Sequence, residues 1–424
     1  MKKKYYIFLT QCILGIGGMQ LYLSRKIDYL RSIDWTVLVF YYQEGEILIP
    51  NLDEFKNNYI PTLRVAVGNV SKKERNTVID IINKHIINYE AVIYESFTPS
   101  LGTWGEYLAS LVSGKHILYL LNESISSPTK QMRDFLKYKI DQKLLFTIKS
   151  DVVVKWFPDI KDVTSIELKA VGCIANDVID INNEVIDLIP EEGKTILSLG
   201  RLSKPYIKYL FECITHFANV YSTEKFNLVV VGDSPNENLK QRLFDIIKPV
   251  PNIRLFNMGS LWPLPKNIFE KSNIALGSAG SIRLCSRQGI PSVSIDANDF
   301  EAIGVLGYNT ENTTFRGERD PHEKIEDWLK YILIENKIKK KQTLYENVDL
   351  DYSAHKKIID EEFCKEYYPT QSSIYYVSHP HLRNLIIQID QSKIGNKILK
   401  RILINKWIQA IVAFIYNKKS PSER

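Results

Sequence analysis

A chain of 424 residues, 45% apolar and 25% charged, can form two or three domains with separate cores, which excludes a disordered or fibrous protein. Its formal charge of 55 − 49 = +6 is concentrated at one end: residues 381–424 hold nine Lys/Arg against Asp390 and Glu423, or +7, leaving 6 − 7 = −1 for the rest. That balance excludes a nucleic-acid-binding body and assigns the positive charge to a basic tail.

Five cysteines (Cys12, Cys173, Cys213, Cys285 and Cys364) are odd in number and scattered without metal-type spacing, as in a reducing compartment. The opening MKKKYYIFLTQCILGIGG has the lysines and apolar run of a signal peptide. However, Tyr5, Tyr6, Thr10 and Gln11 interrupt the run and no small-x-small cleavage site follows. A cytoplasmic protein is expected. No run of about 18 uncharged apolar residues occurs, so no spanning helix is expected.

In chain order, YYIFLTQCI reads as a strand, GIGG as a turn, and MQLYLSRKIDYLRSI as a helix with Leu23, Ile27 and Leu30 on one face. WTVLVFYY, TLRVAV, EAVIYES and HILYLLNE are further strands, with TVIDIINKHIIN and GTWGEYLASLVSG as helices among them. At LIPEEGKT, residues 188–195, the pattern restarts. ILSLG is a strand, KPYIKYLFECITHFANVY a helix, FNLVVVGD a strand and ENLKQRLFDIIK a helix; IRLF, NIALGS, IRLCSRQG and PSVSID continue the alternation. Such alternation predicts parallel βαβ units covered on both sheet faces. The expected architecture is α/β: two doubly wound Rossmann-like domains, 1–187 and 188–365, facing a cleft, then a C-terminal crossover and basic amphipathic helical tail, 366–424. Ligands in such sheets lie beyond the carboxyl ends of the strands, so the loops there carry the candidate site.

Gly15, Gly17 and Gly18 follow the first strand, where glycine permits positive φ and close backbone approach. The helix after them would point free N–H groups at an anion, although the same pattern also makes a tight turn with no ligand. Arg201 and Lys204 follow Gly200 at a strand end, either neutralising a diphosphate or lying as ordinary surface charges. In the first case each charge-assisted bond contributes about 1.5–3 kcal/mol. The stretch LGSAGSIRLCSRQGIPSVSID, residues 276–296, sets small residues at a helix start. There Ser278, Ala279, Gly280 and Ser281 would offer N–H groups, hydroxyls and the positive end of a helix dipole to phosphate oxygens, or merely pack the turn closely.

Taken in order, GIGGMQLYLSRKIDYL, CIANDV, ILSLGRLSKP, LVVVGDSP and NIRLFNMGSL resemble motifs of the GT-B glycosyltransferases, nearest to the family 4 group, over residues 5–310. The resemblance implies a nucleotide diphosphate sugar as co-substrate, bound by Gly15, Gly17, Gly18, Arg201, Lys204, Gly232 and residues 278–281. It implies no cofactor or metal, since protein cations and a helix dipole replace a divalent ion. There are also departures. The family's lysine, five residues after the arginine, is here Tyr206, which leaves Lys204 as a substitute. The family's glutamate pair in the donor loop and helix falls on Leu276 and Leu284, so ribose recognition needs another group. Asp296 and Asp299 stand just past the next strand, as replacements or as solvated loop acids.

On the amino-terminal side, Glu95, Glu106 and Glu123 are the acids expected near the acceptor, as general base, as sugar-orienting groups, or as capping and surface acids without a catalytic part. Arg201 and Lys204 are the expected catalytic cations. Trp104 is read as a core aromatic ahead of an acceptor-stacking ring. His379 and His381 lack a third ligand at metal spacing. In the tail, KIGNKILKRILINKWIQAIVAFIY is basic early and apolar late, too short in its apolar part to span a bilayer. Lys397, Lys400, Arg401 and Lys406 would meet anionic headgroups at about 1 kcal/mol each, unless the segment packs back across the domains.

These readings predict a cytoplasmic, hexosyltransferase-like enzyme, retaining by family habit, acting at the inner face of the membrane if the tail binds there. Its partners would be a nucleotide-sugar donor and a glycan or lipid-linked oligosaccharide acceptor, in surface polysaccharide biosynthesis, and no nucleic acid. Two alternatives stand. One is a non-catalytic transferase-like partner or membrane-binding subunit, favoured by the missing glutamates; the other is a GT-B fold sugar-nucleotide epimerase.

Overall fold

The computed structural model describes residues 2–120, 130–147, 178–179, 182–234 and 236–339, together with 356 and 359. CIANDV up to Asp177, Glu123, His379, His381 and the basic tail lie outside the described residues.

The first half is a parallel five-stranded sheet in the order β2-β1-β3-β4-β5. Its strands are β1 (Lys3–Thr10), β2 (Thr36–Tyr41), β3 (Tyr89–Ser96), β4 (Lys115–Leu120) and β5 (Leu145–Thr147). Helices α1 (Gly18–Ser32), α2 (Lys72–Asn83), α3 (Pro99–Leu111) and α4 (Lys130–Asp141) alternate with them. From Tyr5 onward β1 is buried on both faces, which is why it reads as an unbroken apolar run instead of alternating. Tyr6 and Phe8 enter one core with Leu23, Ile27 and Leu30 of α1; Tyr5, Ile7 and Leu9 enter the other with Leu101, Trp104 and Leu108 of α3.

One expected strand is corrected. TLRVAV is not a strand; it forms two short 3-10 turns, Pro61–Arg64 and Val67–Asn69. Pro61 opens the first, and its ring fixes φ and removes a donor that a sheet ladder needs. Leu63, Val65 and Val67 are buried in the α3-side core, so their apolar spacing reflects packing, not pairing.

The second half is a six-stranded sheet in the order β13-β12-β11-β7-β8-β9. It comprises β7 (Lys194–Leu199), β8 (Phe226–Val231), β9 (Ile253–Gly259), β11 (Ile274–Gly277), β12 (Ser292–Ile295) and β13 (Ala302–Val305). All neighbours are parallel except β12 and β13. Before it, α5 (Glu184–Asp187) follows β6 (Val178–Ile179), which pairs with β10 (Leu264–Pro265). The helices among its strands are α6 (Ile207–Val220), α7 (Glu237–Ile247), α8 (Asn267–Lys271) and α9 (Gly280–Arg287), with α10 (Ile325–Leu329) after β13. Among the described residues, Trp262, from the loop after β9, and Ile359 pack on the α1-side core of the first sheet.

Candidate active site

Two glycines set the geometry at the carboxyl ends of β7 and β8. Gly200 and Gly232 have φ of +148° and +141°, and a Cβ on Gly232 would lie 2.0 Å from the Gly200 carbonyl oxygen. No side chain fits there. Backbone bonds from Gly200 N–H to Val231 O (2.9 Å) and Leu202 N–H to Asp233 O (3.2 Å) zip the two turns together. Gly232 therefore shapes the turn that carries Arg201.

Arg201 is exposed on that turn, and Lys204 folds back across it. The Lys204 ammonium donates to the Tyr206 hydroxyl (3.3 Å) and to the Ser278 carbonyl (3.4 Å), and lies 5.5 Å from the centre of the Tyr206 ring. Burial holds the Tyr206 phenol well above its ordinary range, against the opposing pull of the Arg201 charge and a backbone hydrogen bond from Ser278. Lys204, on the turn after β7, thus meets the first residue of the Ser278–Ser281 turn.

That second turn is partly occupied by the protein's own bonds. Ala279 N–H (2.7 Å) and Ser278 Oγ (3.1 Å) both donate to the Thr313 carbonyl, and Ser281 Oγ donates to Ser278 O (3.0 Å). The expectation of a freely offered row of amides and hydroxyls is corrected on this point: the Ala279 amide is already spent on the 310–316 strap. Gly280, Ser281 and Ile282 open α9, where helix geometry supplies no internal acceptor for their N–H groups, so the dipole end survives. Ala279 itself sits at φ +63°, ψ −135°, a conformation unfavourable for a residue with a Cβ.

The loop after β1 carries the first group of candidate glycines. Gly15 has φ +66° and takes a backbone bond to Glu46 O; Gly17 caps α1 and Gly18 begins it. A Cβ on Gly17 would come 2.8 Å from the Gln20 side-chain oxygen. Gln20 is buried and its amide donates to Cys12. Burial raises the Cys12 thiol, while the Leu14 backbone, Gln20 and the Arg201 charge oppose that rise. Arg201, from the second half, is thus within electrostatic reach of the first.

The amino-terminal acids are placed differently from expectation. Glu95 is fully buried, accepting from Tyr22 (2.8 Å) and Tyr6 and paired with Lys26. Glu106 is equally buried, bonded to His116 Nδ1 (2.9 Å), Lys139 Nζ (3.0 Å) and Tyr138 Oη (3.1 Å). Burial pushes its carboxyl up, but Lys139 and His116 pull it down to about 2. Neither acid faces a space where an acceptor hydroxyl fits; both serve as counter-charges inside the first domain, because the strand and helix faces that carry them turn into packed layers. Glu123 lies outside the described residues. Trp104 is a core residue at 0% exposure, its indole N–H donating to Val65 O (2.6 Å).

Leu276 and Leu284, at the positions of the missing glutamates, are both buried apolar side chains. Asp296 and Asp299 hold the strap: Asp296 accepts from the Arg316 and Asn298 amides, and Asp299 pairs with the Arg316 guanidinium. Among the described residues no group of three His, Cys, Asp or Glu side chains is placed to hold a metal ion. No helix among them is long and apolar enough to cross a membrane. Sequence reasoning missed Thr313, whose part depends on a long-range approach, and the bond between Gln20 of α1 and Cys12 in the loop after β1. Tyr206 was visible only as a departure from the family's lysine.

No protein-family model matches the chain, and no curated protein matches it. Solved structures do. Anabaena HepE, in complex with UDP and glucose, aligns at TM-score 0.51 with 11% identity, over 79% of this chain and 91% of that one. A glycosyltransferase from Rickettsia africae aligns at 0.49 with 17% identity, over 78% and 89%. A UDP-N-acetylglucosamine 2-epimerase aligns at 0.43 with 16% identity, over 85% and 96%. The two-sheet architecture, shared with HepE along most of both chains, is the GT-B fold.

Proposed function

We propose that this protein is a glycosyltransferase that takes a sugar from a nucleotide diphosphate sugar. The observation that carries the reading is the Lys204 ammonium held against the turn that opens α9, with the exposed Arg201 three residues before Lys204 on the turn after β7. Two cations on one turn beside a helix N-terminus suit a diphosphate leaving group, whose charge grows as the glycosidic bond breaks. The glycines of the loop after β1 complete the cleft on the acceptor side. HepE, of the same fold, is seen with UDP and glucose, which makes UDP the first base to test.

In this reading the domains run 1–187 and 188–365, and 366–424 is a crossover and basic tail. The acceptor is a glycan or a lipid-linked oligosaccharide of a surface polysaccharide, and the tail touches the inner membrane face. Co-sedimentation with anionic vesicles, lost when Lys397, Lys400, Arg401 and Lys406 are neutralised, tests the last point.

Calorimetric titration with UDP, GDP, dTDP and CMP tests the donor site. Micromolar binding of one nucleotide, weakened about tenfold or more by Arg201→Ala, supports it. A folded protein that binds none of them points to a second reading, a non-catalytic transferase-like partner. The buried leucines at 276 and 284 favour that alternative, since neither can hold a ribose hydroxyl.

A further inference from the structure

The diphosphate reading leaves unexplained why a tyrosine, 3% exposed, is inserted between the two turns of the site. Its hydroxyl accepts from the Lys204 ammonium at 3.3 Å. The same ammonium reaches the Ser278 carbonyl, which closes a small ring of contacts: Lys204, Tyr206, Ser278. A lysine side chain has four rotatable bonds and about 2 kcal/mol of rotamer entropy, so an ammonium on an open turn spends little time in any one place. The Tyr206 ring, locked by burial, gives that ammonium a fixed oxygen partner.

We infer that Tyr206 is a positioning residue, whose buried hydroxyl holds the Lys204 ammonium against the Ser278 turn so that cation and helix N-terminus act on the same phosphate. The inference rests on the diphosphate reading of the site. Tyr206 acts through Lys204 and is not itself required to touch the ligand. Removing the hydroxyl leaves both turns in place but takes away one of the oxygens that hold the ammonium.

The test is a double-mutant cycle read by calorimetry with two probes, UDP and inorganic pyrophosphate. Tyr206→Phe is expected to weaken both probes about tenfold, and Lys204→Ala by a similar factor. In the Lys204→Ala background, Tyr206→Phe should cost less than about twofold, because the hydroxyl no longer has an ammonium to hold. A purely structural tyrosine would instead cost the same factor in both backgrounds, and that result overturns the inference, as does wild-type affinity in Tyr206→Phe. Because the Tyr206 hydroxyl lies next to the Lys204 ammonium, Lys204→Ala/Tyr206→Lys brings an ammonium back near the same spot. This variant should recover affinity to within about threefold of wild type, and it decides the matter if Tyr206→Phe does not fold; no recovery then counts against the inference. A folded wild-type protein that binds neither pyrophosphate nor any nucleotide overturns the diphosphate reading itself, which separates the two failures.

Discussion

Lys139→Met is expected to be among the most destabilising single changes in the first domain. The Lys139 ammonium lies 3.0 Å from Glu106 Oε2 and also donates to the His116 carbonyl, and the side chains of Lys139, Glu106 and His116 are all at 0% exposure. Removing one member of such a buried pair strands the other charge, at a cost of about 3–5 kcal/mol. That is a large share of the roughly 5–15 kcal/mol that holds a typical domain folded. Urea unfolding followed by tryptophan fluorescence measures it. Adding Glu106→Gln to Lys139→Met should recover part of the loss, because the stranded charge is then gone.

The same network fixes a pH dependence. His116, lowered by burial and the nearby Lys139 ammonium against the pull of Glu106, protonates in the folded protein only near about 4, below its ordinary 6.5. The unfolded chain therefore takes up that proton first, so stability falls as pH drops from 6.5 toward 4. Glu106, held at about 2 against an ordinary 4.5, contributes stability above pH 4.5 that is lost as pH falls toward 2. Both groups act in the same direction. A Lys139→Met loss under about 1 kcal/mol, or unfolding midpoints flat from pH 6.5 to 4, would refute the picture of a buried charged network.

Gly232→Ala should destabilise the second domain by more than the roughly 1–3 kcal/mol that positive φ alone costs, since its Cβ would meet the Gly200 carbonyl. It should also weaken UDP by displacing the Arg201 turn; a melting temperature and a UDP affinity equal to wild type would contradict this. Ala279→Gly relieves a positive-φ alanine and should stabilise by about 1–3 kcal/mol in thermal melts. Asp296→Asn keeps a side-chain oxygen but loses the charge beneath the Arg316 amide, and should loosen the 310–316 strap. Faster amide exchange at Arg316, without change in the sheet, reads that loosening.

Much of the fold was legible because a doubly covered parallel sheet writes itself into sequence as short apolar runs separated by helix-period segments. Most strands of both halves, YYIFL, AVIY, ILSL and NLVVV among them, are segments of this kind. TLRVAV misled because hydrophobic spacing records burial, and burial under α3 looks the same as burial in a sheet. The turn that carries Arg201 and Lys204 was also legible, since both follow a glycine at a strand end.

What the acids do was not legible. Glu95 and Glu106 sit in sequence just where cleft-facing carboxylates are expected, at the end of β3 and in the helix after it. Their partners come from far along the chain: Tyr6, Tyr22 and Lys26 for one, His116 and Lys139 for the other. Only the folded sheet brings those partners within hydrogen-bond distance. The amino-acid sequence alone determined the two-sheet architecture, because secondary structure and its order follow from local periodicity. Tertiary structure decided which charges face the cleft and which neutralise one another inside, because desolvation and pairing depend on neighbours distant in the chain.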